Sequence, residues 1–98
     1  MITEIVTFKL KDGMDRATVT ADYEKSVPVW KGNPALLHKS YLFDEAKGIG
    51  GGVYLWTSKE AAQTAHGAGF VEKITGLFGS APEFQYFDSP LYINNHKD

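Results

Sequence analysis

The strand-to-helix junction that decides the fold is GGVYLWTSKEA, residues 51–61. Residues 52–56 alternate aliphatic and aromatic side chains after a glycine cluster, which predicts a β-strand. Thr57 followed by Glu60 has the spacing of a capping box, so we expect a helix that begins there and runs to His66. A strand that leads directly into a helix indicates an architecture with both α and β elements.

The segments before this junction predict a strand, a helix and a second strand. Residues 2–10 alternate apolar and polar side chains, as a half-buried strand does. Asp15 is a suitable cap for a helix that runs to about Trp30, because apolar residues recur there at helical spacing. A second strand over residues 35–43 follows the Gly-Asn-Pro break, and the glycines of residues 44–51 predict a hairpin loop to the third strand.

Downstream of the junction, Gly67 interrupts the helical pattern, a further helical segment covers residues 70–78, and a fourth strand covers residues 83–87. The resulting βαββαβ order is that of a ferredoxin-like α+β fold, an antiparallel sheet with its helices on one face. We expect the whole chain, residues 1–98, to form a single domain. The third strand has apolar side chains on both faces, so we expect a second copy to cover the face without helices, giving a homodimer.

Composition excludes several classes of function. The chain has 98 residues, a net charge of -2 and no run of basic residues, which argues against nucleic acids and anionic membranes as partners. It has no cysteine, so a thiolate nucleophile, a disulfide framework and an iron–sulfur cluster are excluded. We find no signal-peptide pattern and no apolar stretch long enough to span a membrane, and we expect a soluble, cytoplasmic protein.

The junction at residues 51–61 resembles the corresponding segment of dimeric α+β barrel proteins, particularly the YdhR-like monooxygenases and the antibiotic-biosynthesis monooxygenases. Residues 34–39, PALLHK, are similar to the family's Pro-Gly-aliphatic start of the second strand, with Ala35 where glycine is usual. The resemblance implies a homodimer with facing sheets and a small apolar pocket between each sheet and its helices. Trp56 matches the strand-end aromatic residue that often lines this pocket, and Lys39 matches a lysine common in the YdhR-like branch.

The resemblance implies more than one activity. Some members oxidise polycyclic phenols with molecular oxygen and without metal or flavin, others degrade haem or isomerise lactones, and some have no known activity. The haem-degrading branch has an asparagine on its first strand, which this chain lacks. Ala65 and Thr75 stand near the positions of that branch's tryptophan and histidine ligand, so we do not expect haem degradation.

Six side chains combine suitable chemistry with an expected position near the pocket. We assign candidate catalytic roles to His38, Lys39 and Tyr41, and candidate substrate-binding roles to Tyr23, Trp56 and His66. His38 or Tyr41 would transfer a proton, and Lys39 would stabilise a substrate anion. Trp56 would position the substrate ring. Each residue also has a structural alternative, because histidines can be hydrogen-bonded core or helix-end residues and large rings pack in cores or dimer interfaces.

We expect the protein to need no cofactor. The three histidines, His38, His66 and His96, lack the spacing of metal ligands on one helix face, and the sequence has no dinucleotide-binding fingerprint. The predicted function is a cofactor-free monooxygenase for a small aromatic or otherwise apolar molecule. The alternatives are a small-ligand-binding or stress-response protein without turnover, and a protein whose aromatic faces serve only assembly.

Overall fold

The computed structural model describes residues 1–95, and its elements follow the predicted order. The strands are β1 (Ile2–Lys9), β2 (Leu36–Asp44), β3 (Ile49–Trp56) and β4 (Glu83–Asp88), and the helices are α1 (Arg16–Lys31), α2 (Lys59–Ala65) and α3 (Ala68–Phe78). The second helical region is divided at His66 and Gly67, as the glycine predicts. His96 lies outside the described residues.

The four strands form one antiparallel sheet in the order β2-β3-β1-β4, which confirms the ferredoxin-like α+β fold. The helices pack on one face of this sheet, because the buried core combines side chains of alternate sheet positions with side chains of all three helices. Its members are Val6, Phe8, Val19, Tyr54, Trp56, Ala62, Ile74 and Phe78. No helix within residues 1–95 has the length and apolar character needed to cross a membrane.

The N-cap residue of α1 is the predicted one, whereas that of α2 is one residue later than predicted. Asp15 caps α1 as predicted, since its Oδ1 accepts a hydrogen bond from the Thr18 amide at 2.9 Å. Helix α2 is capped by Ser58 rather than Thr57, because the Ser58 hydroxyl accepts from the Ala61 amide at 3.1 Å. The Thr57 amide still donates to the carbonyl of Ala35, so the chain is paired beside β2 at that point.

Gly50 and Gly51 lie in β3 instead of in the hairpin loop, whereas Gly48 lies in the loop as predicted. Gly51 has a φ of 155°, and a Cβ atom there would lie 1.9 Å from the Val6 carbonyl oxygen. A Cβ atom at Gly50 would lie 2.5 Å from the hydroxyl oxygen of Tyr23. These glycines permit close approach of neighbouring atoms, so β3 begins at Ile49 and not at residue 52 as predicted.

The sheet face opposite the helices carries apolar side chains, among them Ile5, Val53, Leu55 and Phe87. Phe87 is 52% exposed, whereas Leu55 is buried within the single chain. A homodimer that covers this face stays a prediction.

Candidate functional site

A cavity of about 430 Å³ lies between α1 and α3, above the sheet. This volume is within the range of small-molecule sites, and most of the lining side chains are apolar or aromatic. The residues that matter most for its chemistry are Lys39, Tyr41 and Tyr54 on the sheet floor, Tyr23 and Trp30 on α1, and Phe70 on α3. The cavity is where the sequence analysis expects a pocket, between sheet and helices.

Lys39 is enclosed by aromatic rings at the floor of this cavity. Its Nζ atom lies 3.8 Å from the ring centroid of Tyr54, 4.1 Å from that of Tyr41 and 4.6 Å from that of Trp30. Nζ also donates a short hydrogen bond to the Tyr54 hydroxyl. A Cβ atom at Gly52 would lie 3.1 Å from Nζ, so this glycine leaves the space that the amine occupies. We call Lys39 and these three rings the lysine cage.

Two opposing effects determine the protonation of Lys39. Burial lowers the pKa of Lys39 from 10.5 to about 7, and the negative charge of Glu4 acts in the opposite direction. Near neutral pH a large fraction of Lys39 is therefore the uncharged amine, which is a base and a nucleophile. Burial and the charge of Glu4 raise the pKa of Tyr54 well above its ordinary value, so the resting Tyr54 hydroxyl is protonated at neutral pH.

The hydroxyls of Tyr23 and Tyr41 are engaged in structural hydrogen bonds. Tyr23 donates to the Leu42 carbonyl at 2.7 Å and accepts from the Gly51 amide at 3.0 Å. The Ser26 hydroxyl donates to the Tyr23 carbonyl at 2.7 Å, which leaves Tyr41 to donate to the Ser26 oxygen, also at 2.7 Å. The two tyrosines therefore present mainly their rings to the cavity. Burial raises the pKa of Tyr41, so its hydroxyl stays protonated at neutral pH and does not act as a proton acceptor.

A buried polar cluster that the sequence interpretation missed lies behind the lysine cage. Glu4 Oε1 accepts a hydrogen bond from Trp56 Nε1 at 2.8 Å and lies 2.8 Å from His66 Nδ1. The side chains of Glu4 and His66 are fully buried. Within residues 1–95, Glu4 Oε2 and both ring nitrogens of His66 have no hydrogen-bond partner, so the His66 contact has ion-pair distance without hydrogen-bond alignment. The sequence holds one indication that Glu4 is buried: it lies two residues from both Ile2 and Val6 and therefore shares the core face of β1 with them.

Trp56 and His66 lie behind the cavity wall instead of on it. Trp56 has no exposed surface, and its ring centroid is 6.5 Å from that of Trp30. The His66 ring centroid is 5.2 Å from that of Trp30 and 4.6 Å from that of Tyr54. The expected position of these two residues is therefore corrected: they do not line the cavity but pack behind residues that do.

His38 is on the opposite face of the sheet, which corrects its expected place in the pocket. An irregularity in the pairing lies between Leu36 and His38, so that Leu36 pairs with Trp56 but His38 pairs with Leu55. This β-bulge reverses the alternation of β2. Lys39 consequently faces the helices, while His38 is exposed and contacts the hydroxyl of Tyr92.

The histidine and acidic side chains of the described residues do not form a metal-binding cluster. Among residues 1–95, no group of three histidine, aspartate or glutamate side chains is close enough together to hold a metal ion. Glu4 and His66 are in contact, but their other neighbours are aromatic rings, including Trp56 and Phe70. The arrangement therefore offers acid–base chemistry at Lys39 and aromatic contacts around it.

Comparison with solved structures shows which proteins share this fold. A protein of unknown function from Nitrosomonas europaea is 12% identical, with a TM-score of 0.76 over 98% of this chain and 95% of its own. SnoaB, a cofactor-independent oxygenase from Streptomyces nogalater, is 17% identical, with a TM-score of 0.66 over 94% of this chain and 95% of its own. The monooxygenase ActVA-Orf6 of Streptomyces coelicolor, solved with Nanaomycin D, is 19% identical, with a TM-score of 0.69 over 97% of this chain and 92% of its own.

These structures confirm the ferredoxin-like α+β fold, which a protein from Caulobacter crescentus described as a putative antibiotic-biosynthesis monooxygenase also shares. No protein-family model matches the sequence, and a search of the curated proteins finds no match. At such low identity the likeness concerns the fold, and the chemistry has to be argued from the residues of this cavity.

Proposed function

We propose that this protein is a cofactor-independent monooxygenase that oxidises a small aromatic molecule with an acidic phenol or enol group. The observation that carries the proposal is the amine of Lys39, whose pKa burial lowers to about 7, on the floor of an apolar aromatic cavity. The fold shared with SnoaB, described as a cofactor-independent oxygenase, supports the class of reaction. The absence of cysteine and of a dinucleotide fingerprint is consistent with it.

The first step is a proton transfer to Lys39. A general base is most effective when its pKa is near the operating pH, and the uncharged amine of Lys39 meets this condition. It accepts the phenol proton and becomes an ammonium beside the new phenolate. The aromatic faces of Trp30, Tyr41 and Tyr54 then stabilise the ammonium, and the apolar cavity strengthens its attraction for the phenolate.

The electron-rich phenolate reduces molecular oxygen. One electron passes from phenolate to oxygen, and the two radicals combine at a ring carbon to give a peroxide anion. The ammonium of Lys39 returns its proton to this anion, and the hydroperoxide that forms loses water to leave a quinone. One oxygen atom enters the product and the other leaves as water, so the substrate supplies every electron. Tyr54 retains its proton because burial raises its pKa, and it is the hydrogen-bond donor nearest the reacting oxygen in this mechanism.

Lys39→Met provides the direct test of this role, with Lys47→Met as the matched control because Lys47 is exposed in the β2–β3 hairpin. Phenols, naphthols and anthrones are first screened for a change in tryptophan fluorescence, since Trp30 lines the cavity. Oxygen uptake is then measured for each compound that binds. We expect the wild type and Lys47→Met to consume oxygen, and Lys39→Met to lose about 10²- to 10⁴-fold in rate while it still binds the compound.

The other outcomes separate the alternatives. Binding without oxygen uptake by the wild type would favour a ligand-holding or stress-response protein over an oxygenase. Equal oxygen uptake by Lys39→Met and the wild type would remove Lys39 as the base. If none of the screened compounds binds, the cavity has no demonstrated use and the proposed function is rejected.

The proposed enzyme is a homodimer in the cytoplasm, an expectation that rests on the apolar sheet face and the absence of cysteine. Val53 and Ile5 are neighbours on β3 and β1, on the face opposite the helices. Phe87 on the same face is 52% exposed, and Leu91 and Ile93 of the segment after β4 are 83% and 75% exposed. Burying such a surface against a second copy would add to the small apolar core of a 98-residue chain.

A further inference from the structure

We infer that Lys39 is also a covalent carbonyl-binding site, where its amine forms an imine with small aromatic aldehydes or ketones. The Tyr54 hydroxyl, in contact with the amine, is the acid for this reaction. Imine formation needs no oxygen and no phenol, so the inference goes beyond the proposed oxygenase and does not depend on it.

The position of Lys39 distinguishes it from the other lysines at the cavity. Among the described residues, the lysines that line the cavity are Lys25, Lys39 and Lys73. Lys25 is on α1 with 79% of its side chain exposed, and Lys73 is an exposed residue of α3. Lys39 is on the sheet floor, enclosed by the lysine cage. An aromatic carbonyl compound that fills the apolar cavity therefore brings its reactive carbon to Lys39, while the other two amines remain at the rim.

The state of the amine suits nucleophilic attack. An ammonium has no lone pair to attack with, so a lysine nucleophile must be desolvated or otherwise deprotonated. Burial favours the uncharged form of Lys39, against the opposing charge of Glu4. Near neutral pH the cavity thus contains a reactive amine.

The reaction balances with the groups present. The Lys39 lone pair attacks the carbonyl carbon, a C–N bond forms, and proton transfer from nitrogen to oxygen gives a carbinolamine. Tyr54 donates its proton to the departing hydroxyl, which leaves as water while the C=N bond forms. The cationic iminium then returns a proton from nitrogen to the Tyr54 oxygen, leaving a neutral imine. No electrons are gained or lost, and the rings of the lysine cage stabilise the cation on the way.

Reductive trapping tests the inference on the whole chain. The wild type is incubated under nitrogen at neutral pH with benzaldehyde and sodium cyanoborohydride, and the product is analysed by intact mass and peptide mapping. We expect one benzyl group per chain, located on Lys39, and slower labelling when naphthalene occupies the cavity. Lys39→Arg should lose this label. Tyr54→Phe should label Lys39 about 10²-fold more slowly, the size of effect typical of a lost acid catalyst.

Labelling of the wild type shows whether Lys39 forms the imine, even if a variant folds poorly. Modification of Lys25 and Lys73 at the same rate as Lys39, or no modification of Lys39, would overturn the inference. A labelling rate that naphthalene does not change would place the reaction outside the cavity and overturn it too. Because oxygen is excluded, failure here leaves the oxygen-uptake result intact, and failure of oxygen uptake leaves the labelling result intact.

Discussion

Replacing Lys39 by methionine is expected to stabilise the protein at neutral and acidic pH, and this gain should shrink at alkaline pH. Methionine is unbranched like lysine, so it reaches the same space between the rings of Trp30, Tyr41 and Tyr54. Its sulfur also makes favourable contacts with aromatic rings. The substitution therefore removes the amine while it keeps most of the packing.

The magnitude follows from the pKa of Lys39. Burial lowers it from 10.5 to about 7, and at about 1.4 kcal/mol per pKa unit this corresponds to a cost of about 5 kcal/mol for holding the protonated lysine in the folded state. This figure is already the net of burial and of every favourable contact that the ammonium makes, those with the lysine cage included. We therefore expect Lys39→Met to raise the free energy of unfolding by about 5 kcal/mol below pH 7.

The pH dependence has a definite sign. In the unfolded chain Lys39 keeps its proton up to about pH 10.5, whereas in the folded chain it loses the proton near pH 7, because burial lowers its pKa to about 7. Between these values the unfolded state binds more protons, so the Lys39 contribution makes the wild type more stable as pH rises. The methionine variant lacks this contribution, and the difference between the two proteins should fall steadily across that window.

Urea unfolding of the wild type, Lys39→Met and Lys47→Met at intervals between about pH 6 and about pH 10 measures this difference. Subtracting one protein from another removes the contribution of groups that titrate alike in both. The control, whose lysine is exposed, should follow the wild type at every pH. A constant difference between Lys39→Met and the wild type would show that the amine is not desolvated, and would refute the basis of both the proton-acceptor and the imine-forming roles.

Three further changes test the surroundings of the cage. Glu4→Gln should keep the hydrogen bond from Trp56 but lower the pKa of Lys39 further, because the opposing negative charge is gone. NMR titration of the lysine side chain measures this pKa. An unchanged pKa would contradict the effect of the Glu4 charge on Lys39. Trp30→Phe should abolish most of the ligand-induced fluorescence change, because Trp30 lines the cavity. Trp56→Phe should retain this fluorescence change. It should lower the free energy of unfolding by about 1 to 3 kcal/mol, because the hydrogen bond to the buried carboxylate of Glu4 is lost. Val53→Asp should convert the expected dimer to monomers or unfolded chains in sedimentation, and a dimer that persists would place the interface on another surface.

Much of the fold is predictable because its signals are local. The Asp15 cap and the glycine that divides the second helical region are each decided by a few neighbouring residues, and both predictions are confirmed. The cage lysine and two of its tyrosine neighbours in the cavity, Tyr23 and Tyr41, also stand among the candidates from the sequence. Tyr41 lies two residues beyond Lys39 on the same face of β2, and Tyr23 belongs to the apolar stripe of α1.

The errors arise where tertiary contacts override a local pattern. His38 leaves the cavity face because one extra residue in β2 reverses which side chains face the helices, and a single sequence does not mark such a bulge. The local pattern predicts a loop at Gly50 and Gly51, yet these glycines leave space for the Tyr23 hydroxyl and the Val6 carbonyl, two groups distant in sequence. Both features depend on atoms that come together only in the folded chain.

The buried carboxylate of Glu4 connects the register of the sheet to the chemistry of Lys39. Glu4 pairs with Tyr54 on one side and with Tyr86 on the other, and Lys39 pairs with Tyr54, so the four residues form one row across the sheet. Burial and the charge of Glu4 raise the pKa of Tyr86 to about 12, so the charge acts along the row in both directions.

A buried, incompletely hydrogen-bonded carboxylate is costly to the fold, and a structural role alone would be served as well by a neutral amide in contact with Trp56. What an amide cannot do is oppose the effect of burial on Lys39. Without that charge the amine would lose its proton at still lower pH and become a weaker base, less able to take a proton from a phenol. The row therefore explains why the pKa of Lys39 falls only to about 7 in so apolar a cavity, since Glu4 limits the effect of burial from two strands away.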